Sequence, residues 1–342
     1  GVEDKDYFAS RSLDVFIKKI RTALEEKGGW QNEDTARAFA VYTAKMAEHF
    51  KGRVHQWFTF NEPACIVKMG YGTGEHAPGL KLPLEGQFTC WQNIIYAHCL
   101  AAQELRHTDA ENRVGFVSTG RICYPVSEAK ADVDAARALT FACPDEDWAF
   151  THTMSLDPLC LGRWPSPDLC GPQLSACIGA VPQYINDALS LGRPDMLGLN
   201  IYNAAPVQMG TNGPCYVERP AGYAHTAMNW PVEPESLNWG PRYIQERYGL
   251  PMFIAENGLS CTDKIYRDGK VHDVERIDFL AKRAASHRFR PQYFLEFPGF
   301  PGVDRFSVFQ SFVNIHVVRL SKVFIHPSPF PVCRGRSLQS VP

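Results

Sequence analysis

The sequence predicts an α/β fold with a parallel sheet, and a closed (β/α) barrel in preference to an open doubly wound sheet. Patterns typical of strands and helices alternate from about residue 34 to residue 290, as they do where helices cover a parallel sheet. A polar cluster follows three of the strands: FNEP, LNIYN and ENG. In barrels, functional side chains from several strands converge at the carboxyl ends of those strands. The alternation predicts the parallel sheet, and the polar clusters favour the barrel.

The elements are read from apolar spacing and residue type. A helix is expected over 34–50, with Asp34 as its N-cap, because apolar residues recur in it at spacings of three and four: Phe39, Tyr42, Met46 and Phe50. A buried strand is expected over 54–60, where β-branched and aromatic residues predominate. The remaining expected elements are a helix over 92–107, a strand over 114–118, a helix over 134–143, a strand over 195–202, a helix over 236–247 and a strand over 251–256.

Composition limits the possible functions. The chain has 342 residues and 45% of them are apolar, which is enough to bury a sizeable core. Basic and acidic residues are nearly balanced at 35 and 37, so neither nucleic acid nor an anionic membrane is expected as a partner. No apolar run reaches the length of a membrane-spanning helix. The 11 cysteines show no paired C-x-x-C spacing and no N-x-S/T sequence occurs, so we expect mostly reduced thiols and a cytoplasmic protein.

Two glutamates follow apolar runs and are the candidate catalytic residues. Glu62 lies in WFTFNEP and Glu256 lies in PMFIAENG. Each taken alone is about equally well explained as a cap of the helix that follows. Together, at two strand ends of one barrel, they form the pair of carboxylates that glycoside hydrolysis requires, with one acid and one nucleophile or base. A separation of about 5 Å would indicate retention of configuration, and about 6.5–9.5 Å would indicate inversion.

Longer motifs make this pattern specific. TFNEP is followed by GYGTGEHAPG, and the later segments YAHCLAAQ, DPLCLGRWP, DMLGLNIYN and WPVEPESLNWGPRYIQERYGLP precede FIAENG. In this order the segments resemble the retaining β-glycosidases of glycoside hydrolase family 1, over about residues 24–280. The resemblance implies a (β/α)8 TIM barrel that hydrolyses terminal β-D-glucosides by double displacement. The chemistry needs no metal and no organic cofactor, and the resemblance implies a small-molecule β-glycoside or oligosaccharide as substrate.

The resemblance also assigns roles to individual residues. Glu62 would be the acid/base and Glu256 the nucleophile. Asn61 would hydrogen-bond the sugar 2-hydroxyl, Tyr202 would donate its hydroxyl to Glu256, and Asn200 would support that pair. His76 and His98 also match family positions, and we expect them to orient loops and backbone.

Both ends of the chain depart from the family pattern. The first 22 residues carry neither the His-Trp pair nor the Gln of the family's first strands, and the eighth-strand pattern stops after Tyr293-Phe294. We therefore expect an incomplete barrel in one domain over 1–342, with a family-like part over 24–294. Reading the codons from residue 295 one base later permits the family's eighth-strand pattern, so 295–342 is expected to be an out-of-frame tail. The N-terminus GVEDKDYFAS has no initiator Met and no apolar signal region, which suggests a fragment or a processed product.

Several alternatives remain open at this point. A 6-phospho-β-glycosidase of the same family differs from a β-glucosidase in eighth-strand residues that do not match here. A catalytically inactive remnant would retain both glutamates, whereas a non-catalytic sugar-binding module would not need them. The sequence leaves the oligomeric state undetermined. Aromatic residues that suit either an aglycone entrance or the core are Trp148, Trp164, Tyr223 and Trp230.

Overall fold

The computed structural model describes residues 24–286, with side chains to residue 282. The chain forms two compact units. The first comprises the residues up to Thr119 together with Cys143–Met196, and the second comprises Gly120–Ala142 together with the residues from Leu197 onward. The expected tail over 295–342 and the altered first strands lie outside the described residues and stay predictions, as does the single domain over 1–342.

Helices and strands alternate along the described chain. The helices are α1 Glu33–Phe50, α2 Leu84–Thr108, α3 Lys130–Phe141, α4 His152–Leu156, α5 Pro172–Gly179, α6 Gln183–Ala188, α7 Ser236–Tyr248 and α8 Val274–Ser286. The strands are β1 Gln56–Asn61, β2 Arg113–Thr119, β3 Cys123–Pro125, β4 Met196–Asn200, β5 Ala205–Gly210, β6 Gly213–Tyr216 and β7 Met252–Glu256. Short 3₁₀ turns span Gly29–Gln31, Pro167–Leu169 and Leu189–Leu191, and π-helical turns span Cys65–Thr73 and Asp157–Leu161. No helix within residues 24–286 is both long enough and apolar enough to cross a membrane.

The start of α1 corrects one prediction. Asn32, not Asp34, is the N-cap: its backbone is extended and its side-chain oxygen accepts the Asp34 N–H at 2.9 Å. Asp34 lies inside the first turn, where its negative charge interacts favourably with the positive end of the helix dipole. Either residue type caps well, so the choice depends on backbone conformation, which composition does not determine.

The first unit is built around α1 and α2, which pack against each other. The residues of α1 that are buried are mostly small: Thr35, Ala36, Ala40, Thr43 and Ala47. Phe39 packs on Phe60 of β1 with ring centroids 4.7 Å apart, whereas Tyr42 remains exposed. The apolar spacing therefore predicts the helix correctly, but small side chains at the contact set how closely the helices approach.

Large aromatic residues fill the rest of this core. Trp91 of α2 lies against Trp148 with ring centroids 5.2 Å apart, and both are at most 1% exposed. Phe88 lies between Trp148 and Trp164, at 6.0 Å and 5.6 Å from their rings. Helix α2 begins eight residues before its predicted start because this aromatic contact buries its first turns.

Strands β1 and β2 pair in parallel in the first unit, with Trp57 opposite Val114 and Asn61 opposite Val117. Gly115 faces Phe58, whose ring occupies the space that a β-carbon would take. Asp195, directly before β4, receives the Val114 N–H at 2.8 Å and the Arg106 guanidinium at 3.0 Å. These two contacts hold Asp195 against β2 and α2 within the first unit.

The second unit contains the parallel pair β4 and β7, with Leu197 opposite Met252 and Leu199 opposite Ile254. A separate sheet has the order β3-β5-β6, in which β3 and β5 are parallel and β5 and β6 form an antiparallel hairpin. This small sheet was not predicted from the sequence, because its strands are short and contain Pro and Gly. Both pairs that contain predicted strands are parallel, as expected.

Candidate active site

Glu62 directly follows β1 and occupies a left-handed backbone conformation, with φ of 48°. Such a conformation is uncommon for a residue with a side chain, and non-glycine residues that adopt it are concentrated at functional sites. Its N–H donates to the Val117 carbonyl at 3.1 Å, which ties the residue to β2. Pro63 then begins a helical segment. The half-buried Glu62 side chain therefore stands at the carboxyl end of a parallel strand, as the motif predicts.

Cys65, in the turn after Glu62, contacts Glu62 twice. The Cys65 N–H donates to the Glu62 carbonyl at 3.0 Å, and the Cys65 thiol donates to Glu62 Oε2 at 3.0 Å. Cys65 also begins the π-helical segment Cys65–Thr73, which ends at Gly74 in a left-handed conformation with φ of 76°. Turns of π-helix are rare and are often found at functional sites. Cys65 was not among the predicted site residues, although its position three residues after Glu62 places it one turn away.

Asn61 is the last residue of β1 and is exposed. It pairs with Val117 after a register shift that begins at Phe58. Its side chain is therefore accessible to a ligand at the same strand end as Glu62, in the first unit.

Glu256 is the last residue of β7 and is half-buried. The Tyr202 hydroxyl donates a hydrogen bond to Glu256 Oε2, and the Ile201 N–H donates to the Glu256 carbonyl at 3.0 Å. Asn200 lies opposite Glu256 in the β4–β7 register and is 1% exposed. The structure thus brings together three residues that the resemblance groups: Asn200, Tyr202 and Glu256.

A short loop places an aromatic ring beside this group. Trp230 packs on Tyr202 with ring centroids 5.5 Å apart. The Thr226 N–H donates to the Trp230 carbonyl at 2.8 Å, and the Ala227 N–H donates to the Ser260 carbonyl at 2.8 Å. The loop is therefore attached to the segment that follows Glu256. Of the aromatic residues that suit either the core or an aglycone entrance, Trp148 and Trp164 belong to the first unit's core. Trp230 instead packs on Tyr202, the residue that donates to Glu256.

A buried carboxylate in the second unit was not anticipated from the sequence. Glu233 is fully buried, and its oxygens accept from the Arg219 guanidinium at 2.5 Å and from the hydroxyls of Tyr124 and Tyr223 at 2.9 and 2.8 Å. Burial, reinforced by the adjacent Glu233 charge, raises the pKa of Tyr223 to about 12, so Tyr223 remains a donor. The carboxylate is satisfied within the fold, which indicates a structural role for Glu233.

The two histidines occupy different settings. His98 is fully buried between Thr59 Oγ1 and the Gly192 carbonyl, each 2.6 Å from a ring nitrogen. Burial lowers the pKa of His98 to about 4, so the ring is neutral at pH 7. Because a carbonyl only accepts, Nε2 carries the proton and Nδ1 accepts from the Thr59 hydroxyl. His98 therefore links β1 to the turn before β4, while the exposed His76 donates its backbone N–H to the Met69 carbonyl at 3.0 Å.

Among residues 24–286, one group has the donor atoms for a metal ion: Cys261, Asp263 and Asp273. The Arg276 guanidinium already contacts Asp263 at 2.7 Å and Asp273 at 2.6 Å. Its hydrogen bond holds the pKa of Asp263 below the ordinary value. A cation would have to displace this guanidinium, so the group is better explained as an ion-pair cluster.

Comparison with known proteins identifies relatives over most of the chain. Residues 16–287 match the model of glycosyl hydrolase family 1. Beta-glucosidase A from Thermotoga maritima is 33% identical over 294 residues, which cover 80% of this chain and 62% of that protein. An aryl-phospho-beta-D-glucosidase from Bacillus subtilis is 28% identical, over 75% of this chain and 57% of its own length. The chain thus spans less than two thirds of the length of these curated relatives.

Solved structures show the same relationship in the fold. The family 1 β-glucosidase from Thermotoga maritima in complex with isofagomine lactam has a TM-score of 0.63 and 30% identity. The match covers 78% of this chain and 57% of that structure. This likeness, with the parallel strands described above, confirms the predicted (β/α)8 barrel class.

Proposed function

The chain belongs to glycosyl hydrolase family 1, and we propose that it hydrolyses terminal β-D-glucosides with retention of configuration. Glu62 is the acid/base and Glu256 the nucleophile in this proposal. The observation that carries it is the hydrogen bond from the Tyr202 hydroxyl to Glu256 at the end of a parallel strand. A donor in that position orients the carboxylate for attack, which is what a nucleophile requires.

The proposed reaction has two steps. In the first, a Glu256 oxygen attacks the anomeric carbon while Glu62 gives its proton to the departing oxygen, which leaves as an alcohol. In the second, Glu62, now a carboxylate, takes a proton from water, and the resulting hydroxide oxygen displaces Glu256 from the anomeric carbon. Asn61 donates to the sugar 2-hydroxyl, and Asn200 supports the strand end that carries Tyr202. The separation of about 5 Å between carboxylates that retention requires stays a prediction.

Hydrolysis of an aryl β-D-glucoside by the purified chain tests the proposal. We expect turnover in the parent, its loss in Glu256→Ala, and little change in Glu218→Gln, which alters an exposed carboxylate elsewhere in the second unit. A 2-deoxy-2-fluoroglucoside with a good leaving group should label Glu256 covalently, and mass spectrometry of the peptides identifies the residue. A folded parent that neither turns over nor becomes labelled would refute the activity and leave the inactive remnant as the remaining explanation.

A second candidate is a 6-phospho-β-glycosidase, favoured by the matched relative whose name records an aryl-phospho substrate. Parallel assays with an aryl β-glucoside and its 6-phosphate decide between the two, because the preferred substrate should show the higher kcat/KM. Sugar binding without turnover in either assay would instead indicate a non-catalytic module. The cytoplasmic location stays a prediction.

A further inference from the structure

The residue that follows the candidate acid/base by one turn contacts it twice. Cys65 donates its backbone N–H to the Glu62 carbonyl and its thiol to Glu62 Oε2, both at 3.0 Å. The first contact fixes the backbone of Glu62, which has a positive φ, and the second fixes one oxygen of its side chain. Cys65 is half-buried and begins the π-helical segment. The backbone of this turn therefore fixes the position of the Cys65 side chain.

This arrangement distinguishes the two oxygens of Glu62. A protonated carboxyl group has one O–H donor, and its carbonyl oxygen is the better of its two acceptors. Because a carbonyl oxygen accepts better than a hydroxyl oxygen, the contact from the Cys65 thiol to Oε2 favours the acid proton on Oε1. On this assignment, Oε1 is the oxygen that would give its proton to the glycosidic oxygen.

We propose that Cys65 is a positioning residue for proton donation by Glu62: its thiol holds Oε2 and thereby assigns the acid proton to Oε1. The inference rests on the proposed function. In the first step the proton moves from Oε1 to the glycosidic oxygen, the electron pair of the C–O bond stays on that oxygen, and Glu62 becomes a carboxylate. The thiol hydrogen bond then has a charged acceptor and strengthens, so it stabilises the transition state more than the ground state.

The dependence of rate on the leaving group tests this role. Phenyl β-glucoside needs proton donation to its leaving group, whereas 2,4-dinitrophenyl β-glucoside departs without it. For Cys65→Ala we expect kcat/KM to fall about five- to tenfold on the phenyl substrate, from the loss of one hydrogen bond, and less than about twofold on the dinitrophenyl substrate. Cys65→Ser keeps a donor at the position and should recover most of the phenyl activity.

Two kinetic outcomes would overturn the inference. An equal loss on both substrates would mean that Cys65 contributes only to folding or to general site geometry. Full activity of Cys65→Ala on the phenyl substrate would mean that the thiol does not assist proton donation.

A spectroscopic measurement examines the contact without requiring turnover. The infrared S–H stretch of Cys65, isolated by subtracting the Cys65→Ala spectrum, should move to higher frequency in Glu62→Ala because the hydrogen bond is lost. Glu75→Ala, which removes an exposed carboxylate beyond the same π-helical segment, should leave the band in place. An unmoved band in Glu62→Ala would refute the contact. A moved band in a chain that hydrolyses neither substrate would instead refute the proposed function, and the positioning role would fall with it.

Discussion

Removing the Tyr202 hydroxyl tests how the candidate nucleophile is held. Tyr202 lies two residues beyond β4 and donates to Glu256 Oε2, and its ring packs on Trp230 at 5.5 Å. Tyr202→Phe keeps the ring and its packing but deletes the donor. The change therefore removes one hydrogen bond to the Glu256 carboxyl group, with little loss of buried apolar area.

The expected magnitude follows from that single bond. Hydrogen bonds to charged groups contribute about 1.5–3 kcal/mol. At about 1.4 kcal/mol for each factor of ten in rate, their loss corresponds to a fall of about 10- to 150-fold in kcat/KM. The loss should extend to the 2,4-dinitrophenyl substrate, because attack by Glu256 is needed whatever the leaving group.

Steady-state hydrolysis of both aryl glucosides, together with the rate of covalent labelling by the fluoroglucoside, measures the effect. Tyr184→Phe is the matched control, because Tyr184 also donates its hydroxyl to a carboxylate, that of Glu33, at an exposed position of α6. We expect Tyr184→Phe to retain kcat/KM within about twofold, since a surface contact contributes little. If Tyr202→Phe labels and turns over as fast as the parent, the hydroxyl does not organise the nucleophile.

Two further predictions concern stability. The unfolded pKa of His98 is 6.5 and the folded value is about 4, so between these values the unfolded state binds more protons. The contribution of His98 to the free energy of unfolding should therefore be fully present above pH 6.5 and fall by about 3 kcal/mol as the pH drops to 4. Urea titrations of His98→Gln should lack this part of the decline. Glu233→Gln leaves Arg219 beside a neutral partner and should lower the free energy of unfolding by about 3 kcal/mol. The double variant with Arg219→Gln should lose less than the sum of the two single changes, and additive losses would show that the pair is not coupled.

The alternation of strands and helices could be predicted from the sequence, because long elements show clear apolar spacing and characteristic residue types. The predicted strand over 251–256 is β7 Met252–Glu256, and the predicted helix over 236–247 is α7 Ser236–Tyr248. Strand ends are also marked by a change from apolar to polar residues, which is why Glu62 and Glu256 could be placed at such ends. The boundaries of α1 and α2 are less predictable, because they depend on Asn32 and on aromatic packing far along the chain.

The contacts of the site residues could not be predicted from the sequence. The contacts of Glu233 were not predicted, because two of its partners lie 14 and 109 residues away in the sequence. No local sequence pattern indicates contacts over such separations. The short strands β3, β5 and β6 carry Pro and Gly residues that usually argue against strands. Their pairing with one another overrides that local preference.

The two candidate carboxylates are oriented by different devices, and this difference makes their roles separable. Glu62 is held by the thiol of Cys65, three positions later in the same turn, whereas Glu256 of β7 is held by the phenol of Tyr202, which follows β4. A weak donor on an acid that must release its proton and a stronger donor on a nucleophile that must stay ionised match the opposite demands of the two roles. Loss of the thiol should therefore depend on the leaving group, and loss of the phenol should not. If both losses depended on the leaving group in the same way, the two carboxylates would not have the distinct roles that a double displacement requires.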